Sequence, residues 1–213
     1  MHKHMIVAVL SSATWVACGG QGTQPDDMSA AEHRQAAAGD EASADEHESR
    51  YDPDSRATLG TSTAATSDVF YGLDSYNPTE AHLGEAQALR DQAEQHREAA
   101  AALERYEDEQ CARFPPATRP SCPLLGQVAS VEDVDGGVRL HFVDGVRVDA
   151  VADHMRCHLA YARTQGRQGM DHCPLYLEGV SVERADDVVT LTTNAGAEGV
   201  AELRRRARAH VAH

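Results

Sequence analysis

The chain has 213 residues and carries a formal net charge of −15 at pH 7. An acidic surface of this kind repels the phosphates of nucleic acids and of anionic lipid headgroups, so we expect no nucleic-acid partner and an attraction for cations. The length allows one modest domain with a single small core.

A short apolar run at residues 5–16 follows the basic Lys3 and leads into Cys18. A basic start, an apolar stretch too short to span a bilayer, small residues and then a cysteine are typical of bacterial lipoprotein signals. We therefore predict that residues 1–17 are a signal peptide and that the lipid on Cys18 contacts a bacterial membrane from its periplasmic side. Gly19, rather than aspartate, favours the outer membrane. The alternatives are a buried strand or an uncleaved anchor.

The segment after this cysteine is acidic and poor in large apolar side chains. Residues 19–75 contain twelve Asp and Glu but only three basic residues, Arg34, Arg50 and Arg56. Too little apolar surface is available to repay the entropy of folding, so we expect a disordered tether over residues 18–76. We expect the apolar cluster near its end to dock on the folded domain: Val69, Phe70, Tyr71, Leu73 and Tyr76.

A long helix is predicted over residues 77–114. Asn77 can cap it, Pro78 suits the first helical position, and Glu80 stands where a capping-box acid belongs. The run ends before Pro115-Pro116. Its apolar stripe is narrow and rich in alanine, so we expect the N-terminal half to project into solvent. The stripe consists of Leu89, Ala93, His96, Ala100 and Leu103.

From residue 115 to residue 213 the sequence predicts an α+β domain. Apolar residues alternate at 128–134 and 138–142 around the turn Asp135-Gly136-Gly137, which predicts a β-hairpin. A helix with one apolar face follows and stops near Gly166.

The same unit recurs nearer the C-terminus. Residues 181–196 align without gaps to residues 130–145, with matching turn and strand phase, and a final helix follows. We predict two β-β-α units, at 127–165 and at 175–212, with a strand beginning at Leu175. One unit alone leaves a face unburied, so the two would form one antiparallel sheet covered by helices. Two unrelated hairpins are the alternative.

Four cysteines remain besides Cys18: Cys111, Cys122, Cys157 and Cys173. An even number in an exported protein favours disulfides, and four cysteines allow three connectivities. We favour a Cys157–Cys173 bond, whose short loop would give roughly 3 kcal/mol of stabilisation. A Cys111–Cys122 bond would then fix the turn that leaves the long helix.

A metal site is the alternative use of the same region. His154 and His158 lie four residues apart on one side of the predicted helix, Cys157 lies between them, and His172 precedes Cys173. If the thiols are reduced, thiolate and imidazole suit zinc or copper. The competing interpretation of His158 is a hydrogen-bonded core histidine.

Other chemistry has little support. The sequence contains no Gly-rich phosphate loop, nucleophile elbow or haem-attachment motif. A thiol-dependent enzyme would need Cys157 and His158 to face each other, which neighbours on one helix do not do. The basic cluster at residues 204–208 suits a helix C-terminus better than a nucleic-acid site.

From about residue 94 onward the chain resembles a family of small exported proteobacterial proteins, some of them lipoproteins, with no established activity. The resemblance implies export and suggests an association with metal resistance, but it supplies no catalytic residue or ligand. It rests on the following segments: Glu94-Gln95-His96-Arg97-Glu98-Ala99-Ala100, Cys111 with Phe114-Pro115 and Arg119, Cys157-His158-Leu159-Ala160, Cys173-Pro174-Leu175 and Gly179-Val180.

The sequence therefore predicts a lipid-anchored periplasmic binding or scaffold protein that is not an enzyme, with a ligand and a protein partner that it does not identify. The second hypothesis is a periplasmic lipoprotein that binds zinc or copper. The third, and weakest, is a thiol-dependent enzyme.

Overall fold

The computed structural model of the chain describes residues 22–58, 75–125 and 127–211. The predicted signal peptide and the lipidation site Cys18 lie outside these residues, as does the apolar cluster between residues 69 and 73. Tyr76, the last member of that cluster, is exposed rather than docked on the domain. Within the described ranges, no helix is long and apolar enough to cross a membrane.

The segment expected to be a tether contains a helix, α1 (Ala30–Arg50). Ser29 and Glu32 form a capping box, in which the Ser29 hydroxyl accepts from the Glu32 backbone N–H and the Glu32 carboxylate accepts from the Ser29 N–H. The expectation of a disordered tether is therefore wrong for these residues. Alanine is the best helix former, and small side chains allow close packing without large apolar groups.

Helix α1 packs antiparallel on helix α2 (Ala81–Gln110). Along α1, the residues that face α2 recur with alternating spacings of three and four positions, the pattern of a coiled-coil seam. Ala86 and Ala93 of α2 are fully buried under α1, so the N-terminal half of α2 does not project into solvent. On α1 the seam positions are Ala30, His33, Ala37, Asp40, Ala44 and His47.

Helix α2 begins later than the sequence suggests. The Asn77 side chain accepts the Thr79 N–H at 2.8 Å and caps a preceding turn, and Glu80 makes no side-chain cap at the helix start. A two-stranded ribbon of β1 (Ala57–Thr58) and β2 (Ser75–Tyr76) lies between α1 and α2 in the chain. The helix ends at Gln110, before Pro115-Pro116 is reached.

The rest of the chain confirms the predicted α+β class. Strands β3 (Val128–Val134), β4 (Gly137–Phe142), β5 (Val180–Ala185) and β6 (Val188–Thr193) form one antiparallel sheet in the order β3-β4-β6-β5. Each hairpin is followed by a helix, α3 (Val148–Gln165) or α4 (Gly196–Arg208). The first helix lies over β5 and β6, and the second over β3, β4 and β6.

The core lies between this sheet and its two helices. Its largest fully buried side chains come from different elements: Leu140 of β4, Leu191 of β6, Met155 of α3 and Leu203 of α4. Close approach of the two central strands requires a glycine at position 137, because a Cβ there would lie 1.9 Å from the Leu191 carbonyl oxygen.

The segment expected to form a strand at Leu175 is instead a 3-10 turn, Pro174–Tyr176. Proline opens this turn, and Leu175 is fully buried in the core. Proline has no backbone N–H to donate to a neighbouring strand, so this segment forms a turn against the core and does not extend the sheet.

Candidate metal centre

One disulfide, Cys111–Cys157, links the C-terminal end of α2 to the middle of α3, with a Cα–Cα distance of 4.7 Å. Both residues are fully buried. This pairing differs from the predicted Cys157–Cys173 and Cys111–Cys122 bonds, so both predictions are wrong. The cause is the packing of α2 on α3, which brings together cysteines that are 46 residues apart.

The other two cysteines of the described ranges, Cys122 and Cys173, lie next to each other as free thiols. Their Sγ atoms are 3.6 Å apart. His158 Nε2 lies 3.5 Å from Cys173 Sγ, and His210 Nε2 lies 3.6 Å from Cys122 Sγ. We name Cys122, His158, Cys173 and His210 the Cys–His cluster.

Four different segments supply the cluster. Cys122 follows the 3-10 turn Pro116–Thr118, and Cys173 immediately precedes the turn at Pro174. His158 belongs to α3, and His210 lies just past the end of α4. The cluster therefore joins regions of the domain that are distant in sequence.

The cluster is largely shielded from solvent. The exposed fraction is 0% for His158, 3% for Cys173 and 8% for His210, and only Cys122 is half-buried. The Tyr176 ring packs against the His158 imidazole with a centroid distance of 4.9 Å. Such burial leaves little room for a substrate.

Backbone carbonyls orient both imidazoles. His158 Nδ1 lies 2.8 Å from the Arg119 carbonyl oxygen, and His210 Nδ1 lies 2.9 Å from the Arg206 carbonyl oxygen. A carbonyl only accepts, so each Nδ1 carries a proton, and the neutral His158 turns its Nε2 lone pair toward Cys173. His210 Nε2 faces Cys122, whose sulfur accepts a hydrogen bond from it. Metal-binding histidines are typically held in this way by a hydrogen bond from the other ring nitrogen.

The two thiols share one proton. A hydrogen bond from Cys173, aided by His210, lowers the pKa of Cys122 to about 4. The same hydrogen bond and burial raise the pKa of Cys173 above its ordinary value. Burial lowers the pKa of His158, which keeps its imidazole neutral. At neutral pH Cys122 is thus a thiolate and His158 a neutral imidazole, the states in which these groups bind metals. The hydrogen bond with Cys122 raises the pKa of His210, so a metal that bound there would displace its proton.

The spacing of the ligand atoms suits a tetrahedral zinc ion. Bond lengths of about 2.3 Å to sulfur and about 2.0–2.1 Å to nitrogen place ligand atoms roughly 3.8 Å apart for two sulfurs and roughly 3.6 Å apart for sulfur and nitrogen. The corresponding distances here are 3.6 Å between the sulfurs and 3.5 Å from Cys173 to His158. The ligand atoms of Cys122, His158 and Cys173 all lie within 4.8 Å of one another. These three atoms therefore match three corners of a tetrahedral site, whereas His210 adjoins the triangle through Cys122 and does not belong to the group.

The structure brings only part of the predicted metal set to this place. His158 and Cys173 belong to the cluster, whereas Cys157 is oxidised. His154 stacks on Phe114 and its Nε2 lies 3.0 Å from the Thr118 carbonyl oxygen. His172 is exposed and does not belong to the group of ligand atoms.

The sequence predicts Cys122 in a disulfide and does not point to His210. These two residues are 88 positions apart, so no local spacing connects them. The sequence offers only a weak indication of His210, namely that a histidine at the end of the last amphipathic helix can reach the core of the domain.

Comparisons with known proteins add no relative: no family model, curated protein or solved structure matches the chain. The resemblance to exported proteobacterial proteins therefore stays a prediction. The geometry of the Cys–His cluster is what indicates a function for the chain.

Proposed function

We propose that this chain is an exported, lipid-anchored protein that binds one zinc ion in the Cys–His cluster, and that the zinc holds its α+β domain together. The observation that carries the proposal is the orientation of His158 and His210. Each has its Nδ1–H on a backbone carbonyl and its Nε2 3.5–3.6 Å from a cysteine sulfur.

The ligand set favours zinc with a structural role. Two sulfurs and one nitrogen already lie within 4.8 Å of one another, a ligand set typical of zinc. His210 adjoins Cys122 outside this group; by turning toward the ion it would complete four protein ligands and leave no open position for a reacting water. The burial of His158 and Cys173 agrees with a closed site. Binding without catalysis is thus the function that we infer.

A metal here would contribute directly to folding. The four ligands come from separate segments that the unfolded chain does not hold together, so the free energy of metal binding adds to the stability of the fold. Binding would also displace the proton shared by Cys122 and Cys173, because zinc binds thiolates.

The redox state of the cysteines supports export. A buried disulfide such as Cys111–Cys157 persists in an oxidising compartment, as a periplasmic location would provide. Two thiols 3.6 Å apart would themselves oxidise there unless something protected them. Coordination to zinc gives that protection, since a metal-bound sulfur is not free to attack another sulfur.

The test uses full-length protein purified after native export, with elemental analysis and native mass spectrometry. We expect bound zinc, one disulfide, and two cysteines that react with an alkylating agent only after chelation. Cys173→Ser and His158→Ala should each lower the zinc content by one equivalent. The matched controls His172→Ala and His154→Ala should leave it unchanged.

Three outcomes would contradict the proposal. A second disulfide joining Cys122 and Cys173 in metal-free protein would show that the cluster is a crosslink. Copper in place of zinc would overturn the choice of metal. Zinc content that is unaffected by Cys173→Ser and His158→Ala would place the ion elsewhere.

A further inference from the structure

A second group of metal-ligating atoms lies in the seam between α1 and α2. His47 Nδ1 lies 3.2 Å from His82 Nδ1. Glu85 Oε2 lies 2.6 Å from His47 Nδ1 and 3.1 Å from His82 Nδ1. Three ligand atoms from two helices therefore meet at one point.

The coiled-coil spacing explains why they meet. His47 occupies the last seam position of α1, and His82 faces it from the first turn of α2. Glu85 follows His82 by three residues, which places both side chains on the same face of the helix. The arrangement thus needs no irregular backbone.

A similar histidine pair two heptads away shows what distinguishes this group. His33 and His96 also approach through Nδ1, at 2.9 Å, but both are buried and His33 Nε2 lies 3.1 Å from the Gln24 carbonyl oxygen. The carboxylate of Asp40 lies 3.8 Å from the other ring nitrogen of His96, Nε2, on the side away from His33 Nδ1. That pair is a hydrogen-bonded core layer without a third ligand.

The outer group has the dimensions of a metal site. The circle through its three ligand atoms has a radius of about 1.7 Å, so an ion about 2.0–2.1 Å from each atom fits about 1 Å above their plane. Two imidazoles and a carboxylate suit zinc, copper(II) or nickel(II). The side chains remain partly exposed, at 26% for His47, 29% for His82 and 53% for Glu85, which leaves water access to the open positions.

We propose that His47, His82 and Glu85 form a second, solvent-accessible site for a divalent transition-metal ion. An ion there joins the C-terminal end of α1 to the N-terminal end of α2. The site has no thiolate and is open on one side, so it exchanges its metal with solvent, unlike the buried Cys–His cluster.

Nickel(II) is the probe, because imidazole binds it well and the buried tetrahedral cluster does not match its preferred geometry. Isothermal titration of full-length protein, previously equilibrated with zinc and then dialysed, should show saturable nickel binding. His47→Ala and His82→Ala should each weaken it by more than about 100-fold, which exceeds the loss typical of residues that only orient a ligand. The controls His172→Ala and Glu98→Gln remove an exposed histidine and an exposed acid and should change nothing.

The same titration separates this site from the Cys–His cluster. Cys173→Ser should leave nickel binding intact even if it abolishes zinc binding, and circular dichroism should show that His82→Ala retains the helices. Absence of saturable nickel binding, or binding that survives both histidine substitutions, overturns the second site. Loss of nickel binding in Cys173→Ser would assign the metal to the cluster instead.

Discussion

The Cys111–Cys157 disulfide leaves Cys122 and Cys173 as the cysteines that a metal could bind. The free energy of unfolding that is lost when this disulfide is removed can be calculated from the length of the loop that it closes. The bond closes a loop between residues 46 apart in sequence. In the chain-entropy description, a crosslink over a loop of this length removes unfolded-state entropy equivalent to about 4 kcal/mol at 25 °C. The predicted Cys157–Cys173 bond would have closed a much shorter loop and stabilised the fold less.

We therefore expect the double variant Cys111→Ala with Cys157→Ala to lose about 4 kcal/mol of unfolding free energy. The assay is urea unfolding followed by circular dichroism, at one pH and one zinc concentration for all proteins, because bound metal also stabilises the native state. Wild-type protein treated with a reductant should show a similar loss, which separates the crosslink from the packing of the two side chains.

Two results would refute this reasoning. A loss below about 1 kcal/mol would fall within the range of ordinary single substitutions and would show that the crosslink does not constrain the unfolded chain. A peptide map of the unreduced protein that joins Cys157 to Cys173 would show that the pairing itself is different.

Three further predictions test other parts of the chain. Burial, and next the neighbouring His96, lower the pKa of His33 from its ordinary value of about 6.5, so the unfolded chain binds this proton before the native protein does. The contribution of His33 to the unfolding free energy should be constant above about pH 6.5 and fall below it, so His33→Gln should make the loss of stability below about pH 6.5 shallower than in the wild type, and an unchanged pH profile would contradict this. Gly39→Ala should raise the unfolding free energy by about 0.5–1 kcal/mol, since a Cβ at this helical position meets nothing within 4 Å; no change would mean that α1 is not a helix. Gly137→Ala should lower the unfolding free energy by about 1–3 kcal/mol, because its Cβ would collide with the backbone of Leu191. Cys18→Ser should abolish metabolic labelling by a fatty acid, and undiminished labelling would remove the lipid anchor.

Much of the α+β domain was predictable because its signals are local. Alternating apolar residues around two-residue turns gave both hairpins, and the helical apolar faces gave α3 and α4. Helix α1 was missed because its seam consists of alanine, histidine and aspartate, which a composition argument classes as disordered. The Ser29 and Glu32 capping box, together with the three-and-four spacing of Ala37 and Ala44, was the signal that sequence reasoning did not use.

The Cys–His cluster is only partly predictable from the sequence, since it depends on tertiary packing. His158 and Cys173 could be suspected from their neighbourhood in sequence, because both lie in the segment around α3. Cys122 and His210 come from the two sides of the domain and meet only when α4 packs on the sheet. The pairing of Cys111 with Cys157 likewise depends on the packing of α2 against α3. No local sequence pattern predicts that packing.

Helix α2 contacts both the disulfide and the segment around Arg119, and through them it positions a residue of the Cys–His cluster. Cys157 and His158 are consecutive on α3 and point about 100° apart, so the bond from Cys157 to Cys111 of α2 turns His158 toward the cluster. The buried Glu107 of α2 also pairs with Arg119 at 2.7 Å, and the Arg119 carbonyl oxygen accepts the His158 Nδ1–H. Two independent contacts from α2 therefore fix the position and the tautomer of one ligand. Helix α2 is thus part of the support of the Cys–His cluster.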